Sequence, residues 1–355
     1  MTKASCLKVP RVHGEKTIAL VKTLNLLDRK LKIKQVENYL YIPLTSEPTQ
    51  ADIKTLEKNQ LQFETSLYEF PKRAKRRVKL VDVLKDRMPS HLLTNLPHAI
   101  DFVGDIAIIK VLPELESYQR IIGEGILFAH KRVKTVLAKS SAIEGVYRVR
   151  KFAIVAGADQ TKTVHKEHGC IFHVDLAKVY FSPRLSFEHS RIAAQVEEGE
   201  TIVDMFAGVG PFSIQIAKGC AKVRAYAIDA NPDAISCLKK NIKANNVEGK
   251  VIPVLGDARQ IIKERFWGAA DRVIMNLPEK AIEYIDIACG ALQKEGGIIH
   301  YYEFAKAPKP LETAKSHFNQ SMRQTSRNLK KILLARAVRA IAPYTWQVVV
   351  DAEIK

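Results

Sequence analysis

The amino-acid sequence predicts an α/β protein whose carboxyl-terminal half forms an open sheet, preceded by two smaller α+β domains. Three observations support this prediction. From about residue 175, apolar segments of strand length alternate with segments of helical periodicity. The stretch Thr201 to Ala217 passes from an apolar run through Gly208 and Gly210 into a helical pattern. The chain of 355 residues also exceeds the usual size of one domain, so two or three cores are expected.

The first predicted domain, residues 1–72, is a small α+β module. Helical patterns cover Glu15 to Leu26 and Ala51 to Asn59, and two short strands flank residues 37–38 as in a hairpin. The basic run Pro71 to Lys79 follows and suits either a solvated linker or a surface that faces phosphates. Either reading makes this run a candidate domain boundary.

The second predicted domain, residues 73–174, mixes helical and strand patterns. Gly104 and Asp105 separate two apolar runs and predict a hairpin turn. The stretch Tyr147 to Lys151 has strand character, and strand alternation places Arg148 and Arg150 on one face. Such a face can contact phosphate or a base edge, although a solvated edge strand has the same composition.

The third predicted domain, residues 175–355, repeats the order of strand, polar strand end and helix. Thr201 begins the first strand, and the second ends at Asp229, where a carboxylate can accept hydrogen bonds from ribose hydroxyls. The third ends before Asp257, which can bind the exocyclic amine of a base, and the fourth ends before Asn276. A fifth strand, a basic helix and two last strands complete this domain.

The charge of the chain favours a polyanionic partner. Lys and Arg number 56 against 38 Asp and Glu, a formal charge of +18, so nucleic acid is the leading candidate and an ion-pair-rich surface the alternative. No apolar run has the length of a membrane span, and no apolar signal core follows the first basic residues. We therefore expect a cytoplasmic protein without membrane contact.

Cysteine and histidine positions predict neither disulfides nor a metal. The five cysteines contain no Cys-x-x-Cys pair, which favours reduced, structural thiols. The segment His165 to Cys170 contains two histidines and a cysteine, but this spacing is more typical of a polar turn than of a metal site.

The glycine loop differs from that of dinucleotide-binding enzymes because the third glycine is absent from its usual place. Asp-x-Phe-x-Gly-x-Gly at Asp204 to Gly210, together with the acidic strand ends and Asn-Leu-Pro after the fourth strand, resembles the S-adenosylmethionine-dependent methyltransferases of the Rossmann-like class I.

Neither Cys237 nor Cys289 lies near a strand-end motif, which argues against attack on a pyrimidine carbon. Leu277 and Glu279 depart from the Asn-Pro-Pro-Tyr of enzymes that methylate exocyclic amines, so that acceptor is disfavoured.

A narrower resemblance covers almost the whole chain. VYFSPRLSFEHSR at Val179 to Arg191, YRVR at Tyr147 to Arg150, and the motifs HKEHG, DMFAGVGPFSI and MNLP occur in the order found in the archaeal and eukaryotic tRNA (guanine-37-N1)-methyltransferase family, most closely its archaeal branch. The resemblance implies a Rossmann-like class I methyltransferase domain with a mixed sheet behind two RNA-binding domains. It further implies S-adenosylmethionine as cofactor and tRNA as partner, with the amino-terminal module on the elbow and the rest on the anticodon arm. No obligatory protein partner is indicated, and we expect a monomer.

The resemblance also implies the roles of individual residues. Nitrogen 1 of guanine must lose a proton while negative charge builds on oxygen 6, so a base and a cation are needed. Glu188 matches the family's general base, Arg148 the arginine at oxygen 6, and Asn276 the residue that orients the base or the donor. His189 stands where relatives can carry arginine. The residues implied in cofactor binding are Tyr180, His189, Phe206, Gly208, Asp229, Asp257, Ala258 and Asn276.

Two other functions stay open at this point. A wyosine-pathway enzyme acting at the same tRNA position, on carbon 7 or as an aminocarboxypropyl transferase, would use the same cofactor. An RNA-binding protein without catalysis is the second alternative, and the joint presence of Glu188, Arg148 and Asn276 argues against it. From the residues alone, Glu188 could also be an exposed carboxylate at a helix start.

Overall fold

A computed structural model describes residues 2–73, 78–145 and 147–355 of the chain. Residues 74–77 of the predicted basic run lie outside the described residues. The chain divides into two compact units, Met1–Val78 and Lys79–Lys355, and the division falls within that basic run.

The first unit is one antiparallel sheet with two helices. Its elements are β1 (Thr2–Pro10), α1 (Gly14–Thr23), β2 (Lys34–Val36), β3 (Tyr39–Pro43), α2 (Gln50–Lys58) and β4 (Glu64–Phe70). The strand order is β2-β3-β1-β4, and the predicted hairpin is present as β2 and β3. Thr49 and Asp52 form a capping box at the start of α2, which satisfies two backbone donors there.

The second unit begins with a four-stranded sheet. Its elements are α3 (Leu80–Leu84), β5 (Asp101–Val103), β6 (Ile106–Ile109), α4 (Gln119–Ala129), β7 (Thr135–Glu144) and β8 (Val149–Gly157). The strand order is β5-β6-β7-β8, and α4 packs on β7 and β8. The predicted hairpin at Gly104 joins β5 to β6, whereas β7 has no counterpart in the sequence-based prediction.

The predicted strand at Tyr147 to Lys151 is wrong at its start. β8 begins at Val149, and Arg148 lies in the preceding turn with a left-handed φ of 54°. Arg148 and Arg150 therefore do not share a face through strand alternation. A left-handed conformation is uncommon for a residue with a side chain and costs about 1 kcal/mol, so the surrounding turn has to hold it.

The remainder of this unit contains a hairpin and an open sheet with its helices. The elements are β9 (Lys162–Glu167), β10 (Cys170–Asp175), α5 (Ser186–Ala193), β11 (Thr201–Asp204), α6 (Pro211–Gly219), β12 (Arg224–Asp229), α7 (Pro232–Ala244), β13 (Val251–Leu255), α8 (Ala258–Ile261), β14 (Arg272–Met275), α9 (Ile285–Ala291), β15 (Gly297–Lys306), α10 (Pro310–Met322), β16 (Leu329–Ala342) and β17 (Thr345–Ile354). Asn231 accepts a hydrogen bond from Asp233 N and caps α7.

The large sheet has the order β13-β12-β11-β14-β15-β17-β16. Strands β11 to β15 are parallel, and β17 runs antiparallel to both of its neighbours. This arrangement confirms the predicted Rossmann-like domain with a mixed sheet. β12 and β14 lie on opposite sides of β11, so the strand order reverses at β11. In such sheets the crevice that binds ligands opens at this point, at the carboxyl ends of the strands.

One hydrophobic core joins the four-stranded sheet, the β9–β10 hairpin and the seven-stranded sheet of the second unit. It contains Val103 and Leu137 of the smaller sheet together with Phe172, Ile202 and Ile214. A predicted domain boundary near residue 174 thus crosses a continuous core, and the division into three domains stays a prediction. Among the described helices, none has the length and apolar character needed to cross a membrane.

Candidate active site

A cavity of about 180 Å³ opens at the carboxyl ends of β11, β12, β13 and β14, and we call it the strand-end cavity. Its lining includes seven of the eight residues implied in cofactor binding, all except His189: Tyr180, Phe206, Gly208, Asp229, Asp257, Ala258 and Asn276. The fold brings these residues together from five separate segments of the second unit.

The glycine loop shapes one wall of the strand-end cavity. Gly210 has a φ of 89°, and a Cβ atom there would lie 2.3 Å from Leu238 Cδ1, so the loop requires glycine at this position. Gly208, at a φ of 56°, donates its backbone N–H to Asp229 Oδ2 at 2.7 Å. The loop is thereby fixed to the end of β12.

Two carboxylates are placed to bind a nucleoside. Asp229 accepts backbone N–H groups from Gly208 and Asn231, one on each oxygen, and each oxygen retains a lone pair for a ribose hydroxyl. Burial raises the pKa of Asp229, against these two hydrogen bonds. Asp257 caps α8 through Oδ1, which leaves its second oxygen for the amine of a base. Phe206 and Tyr284 form an edge-to-face aromatic wall, with ring centroids 5.2 Å apart. These acceptors and the aromatic wall fit an adenosine group, whose ribose hydroxyls and amine donate.

Asp204, at the end of β11, is fully buried behind the loop. Ser213 donates to Oδ2 at 2.8 Å, while Oδ1 has no hydrogen-bond partner among the described residues. Burial raises the pKa of Asp204 from 3.8 to about 7, although the bond from Ser213 opposes the shift. A shift of this size corresponds to about 4 kcal/mol of stability that is lost as the pH rises from 3.8 past about 7.

Replacement of Asp204 by Asn is expected to stabilise the protein more as the pH rises. Because the folded-state pKa lies above the unfolded one, the contribution of the protonated carboxyl is complete below pH 3.8 and is lost once the pH has passed about 7. The uncharged Asn avoids that loss. Thermal midpoints of both proteins between pH 5 and pH 9 measure the effect. Parallel curves across this range would show that Asp204 does not titrate as described.

A second cavity of about 370 Å³ adjoins the first, and we call it the basic cavity. Arg148, Tyr180 and Glu279 line both cavities. The charged groups in its lining are five cations and two carboxylates: Lys139, Arg148, Arg150, Arg184, Arg339, Asp101 and Glu279. This excess of cations suits a nucleotide.

Arg148 lies at the junction of the two cavities. Its guanidinium stands 5.2 Å from the ring centroid of Tyr180 and donates from Nη2 to Glu279 at 3.2 Å. The Nε atoms of Arg148 and Arg150 are buried and lack a hydrogen-bond partner in the described part of the chain. Buried donors without partners are costly, so an acceptor on a bound ligand would satisfy them.

Glu188 lies in the first turn of α5 but is only 1% exposed, so the reading of an exposed carboxylate is wrong. Arg191 Nε donates to both of its oxygens at 2.8 and 2.9 Å, and Arg336 Nη1 lies 3.2 Å from Oε1. Tyr302 adds a hydroxyl donor to Oε2 at 3.3 Å. Glu188 is not among the lining residues of either cavity.

A chain of buried polar groups continues from Glu188 through the sheet. Arg191 also pairs with Asp351, which accepts from His300 Nδ1 at 2.6 Å. Arg272 Nη1 lies 2.9 Å from His300 Nε2 and can only donate, so His300 is neutral with its proton on Nδ1. Burial lowers the pKa of His300, in agreement with this tautomer.

His189 does not line either cavity, and its predicted contact with the cofactor lacks support in this geometry. The ring is 1% exposed, and Nδ1 lies 2.7 Å from Glu167 Oε1. Burial of Glu167 acts against its ionisation, but hydrogen bonds from His165, His189 and Gln215 lower its pKa to about 2. His189 thus belongs to a buried cluster that fixes α5 to β9. The described residues include no group of His, Cys, Asp and Glu placed to hold a metal.

Three residues that line the cavities, and Gln347 behind Asn276, were missed by sequence reasoning. Glu279 and Tyr284 follow the Asn-Leu-Pro motif closely, so their spacing from the fourth strand could have indicated them. Arg339 on β16 and Gln347 on β17 carry no local motif. Only the tertiary structure brings Gln347 to Asn276 and Arg339 to Gln347.

Family models match three consecutive parts of the chain. A TRM5/TYW2 methyltransferase domain matches residues 163–330, a TYW2 N-terminal domain matches residues 80–161, and a tRNA methyltransferase 5 N-terminal domain matches residues 6–52.

Two named relatives and one solved structure are informative. The tRNA (guanine(37)-N(1))-methyltransferase Trm5b of Pyrococcus abyssi is 38% identical, with 98% of both chains covered. The tRNA 4-demethylwyosine(37)-methyltransferase Taw21 of Saccharolobus solfataricus is 37% identical over 71% of this chain and 92% of its own. A crystal structure of the complex of aTrm5 and tRNALeu matches with a TM-score of 0.71 and 36% identity, covering 99% of each chain. The chain belongs to the tRNA (guanine-37-N1)-methyltransferase family.

Proposed function

We propose that this protein transfers the methyl group of S-adenosylmethionine to nitrogen 1 of guanosine 37 in tRNA. The observation that carries the proposal is the junction of the strand-end cavity with the basic cavity at Tyr180, Arg148 and Glu279. A nucleoside donor in the first cavity and a base in the second would meet there. Methyl transfer by direct displacement requires only such an alignment and the removal of one proton.

The cofactor supplies an electrophilic methyl group when bound. Asp229 would accept from the ribose hydroxyls, Asp257 from the adenine amine, and Phe206 and Tyr284 would pack beside the base. Gly208 allows the ligand to approach the loop backbone, because the space where its Cβ would stand is open apart from Tyr180 O at 3.9 Å.

Arg148 is the proposed cation for oxygen 6 of guanine. Its buried Nε has no partner among the described groups, and its position at the junction suits the charge that develops as nitrogen 1 loses its proton. The base must be turned out of the anticodon loop to reach this position, as other base-modifying enzymes require.

Glu188 is the proposed general base, by its match to the family motif. In the present conformation Arg191 and Arg336 hold its carboxylate, so the role requires the side chain to leave these partners when tRNA binds. Glu279 is the second candidate, because it already lines both cavities and pairs with Arg148. Each carboxylate can be tested separately.

The amino-terminal unit favours guanine methylation over the wyosine alternative. The Pyrococcus abyssi relative, which is named for guanine 37, matches 98% of this chain, whereas the Saccharolobus solfataricus relative named for a wyosine substrate matches 71%. We propose that this unit contacts the tRNA elbow. Lys8 over Tyr39 and Lys34 over Tyr68, at 4.5 and 5.1 Å, form a cationic and aromatic surface on its sheet suited to RNA.

The proposal is tested with labelled cofactor and two tRNA transcripts that differ only at position 37. Transfer to the transcript with guanine and none to the transcript with adenine is expected, because adenine lacks the acidic proton on nitrogen 1 and the oxygen that Arg148 would bind. Equal labelling of both transcripts would overturn the proposed specificity.

A further inference from the structure

A buried relay of side chains connects Asn276 to an arginine of the basic cavity. Gln347 on β17 is 1% exposed, and its Nε2 donates to Asn276 Oδ1 at 3.1 Å. Arg339, its register partner on β16, donates from Nε to Gln347 Oε1 at 2.8 Å. The relay therefore runs across two antiparallel strands to the end of β14.

The chemistry of arginine fixes the direction of this relay. A guanidinium has five donors and no acceptor, so the atom of Gln347 that faces Arg339 must be the carbonyl oxygen. The amide nitrogen of Gln347 then faces Asn276 and requires an acceptor there. Asn276 must present its oxygen to Gln347, which turns its own amide nitrogen away from the relay. That nitrogen has no hydrogen-bond partner in the part of the chain that the structure describes.

We propose that Arg339 and Gln347 hold Asn276 as a hydrogen-bond donor toward oxygen 6 of the target base, and so select a base with a keto group. This inference rests on the proposed function. Guanine presents an acceptor at position 6, whereas adenine presents an amine that would meet the donor of Asn276. Arg148 and Asn276 together would supply two donors where negative charge builds during deprotonation.

Arg339 also positions the junction between the two cavities. Its Nη2 donates to the hydroxyl of Tyr180 at 2.9 Å, and its Nη1 donates to Ser182 Oγ at 2.5 Å. Tyr180 lines both cavities and faces the guanidinium of Arg148. Arg339 thus ties the aromatic ring at the junction to the amide of Asn276, and it acts as a positioning residue.

Two substitutions of Gln347 separate this role from a structural one. In Gln347→Glu, one carboxylate oxygen accepts from Arg339 and the other accepts from Asn276. The amide nitrogen of Asn276 then turns toward position 347, and its oxygen faces the base. Gln347→Met removes both hydrogen bonds and leaves Asn276 free to adopt either orientation. We expect Gln347→Glu to lower the single-turnover rate on guanine 37 by about tenfold to a hundredfold, and more than Gln347→Met does. The KM for tRNA should change little, and thermal midpoints verify folding.

The variant Asn276→Ala controls for the charge of the new carboxylate. When Gln347→Glu is added to Asn276→Ala, the single-turnover rate should fall little further, because no amide is left to reverse. A purely electrostatic effect of the new carboxylate would still lower the rate. If Gln347 had a structural role only, Gln347→Met would lower the single-turnover rate more than Gln347→Glu, since Met breaks more hydrogen bonds. An active wild type together with a Gln347→Glu rate equal to or above that of Gln347→Met overturns the relay alone. A wild type without transfer to guanine 37 overturns the proposed function and the relay with it.

Discussion

Replacement of Glu188 by Gln is expected to lower the single-turnover rate of methyl transfer by about 10²- to 10⁴-fold, the usual contribution of a general base. The amide preserves the shape of the side chain but cannot take the proton from nitrogen 1. Cofactor binding should be nearly unchanged, because Glu188 does not line the strand-end cavity. Rapid quench with labelled cofactor gives the rate, and calorimetry with S-adenosylhomocysteine gives the affinity.

Glu279→Gln is the matched control for this prediction. Glu279 lines both cavities and pairs with Arg148 at 3.2 Å, so its amide variant perturbs the position of Arg148 without removing the proposed base. We expect a smaller loss of rate than with Glu188→Gln. Near-normal transfer by Glu188→Gln together with a large loss in Glu279→Gln would assign the proton to Glu279.

Replacement of Arg148 by Met is expected to lower the rate of methyl transfer by about 10²- to 10³-fold, as loss of a donor to a developing oxyanion does. Arg148 is the cation at the junction of the cavities, and its buried Nε lacks a partner among the described residues. Lys at this position keeps the charge but loses the planar arrangement of donors, so Arg148→Lys should restore only part of the rate.

Arg150→Met serves as the comparison for Arg148. Arg150 lines the basic cavity but not the strand-end cavity, so its loss should raise the KM for tRNA more than it lowers the single-turnover rate. The two effects are separated by measuring rates at saturating tRNA. If both variants changed only the KM, Arg148 would be a tRNA-binding residue without a role at oxygen 6.

The large sheet could be predicted from sequence because its signals are local. The third and fourth parallel strands, Val251–Leu255 and Arg272–Met275, end before Asp257 and Asn276 as predicted, and both of these residues line the strand-end cavity. The positions of these polar residues directly after the strands were enough to predict the ligand site, since the carboxyl ends of neighbouring parallel strands meet at one edge of the sheet. By contrast, β7 was missed, although its pairing with β6 and β8 is extensive.

The contacts that sequence reasoning could not place join residues that are far apart in the chain. Glu188 and His189 are neighbours, but adjacent residues on a helix point about 100° apart. Glu188 therefore meets Arg336 of β16 while His189 meets Glu167 of β9. Arg339 reaches the site only because β16 and β17 fold back beside β15. No pattern within these segments indicates such contacts.

Identification of the modified nucleoside tests the central claim most directly. A tRNA transcript with guanine 37 is incubated with the protein and S-adenosylmethionine, digested to nucleosides and resolved by mass spectrometry against standards. We predict 1-methylguanosine, located at position 37 in the fragment that contains the anticodon loop. Absence of 1-methylguanosine, combined with modification at carbon 7 when a wyosine precursor tRNA is supplied, would contradict the proposed function.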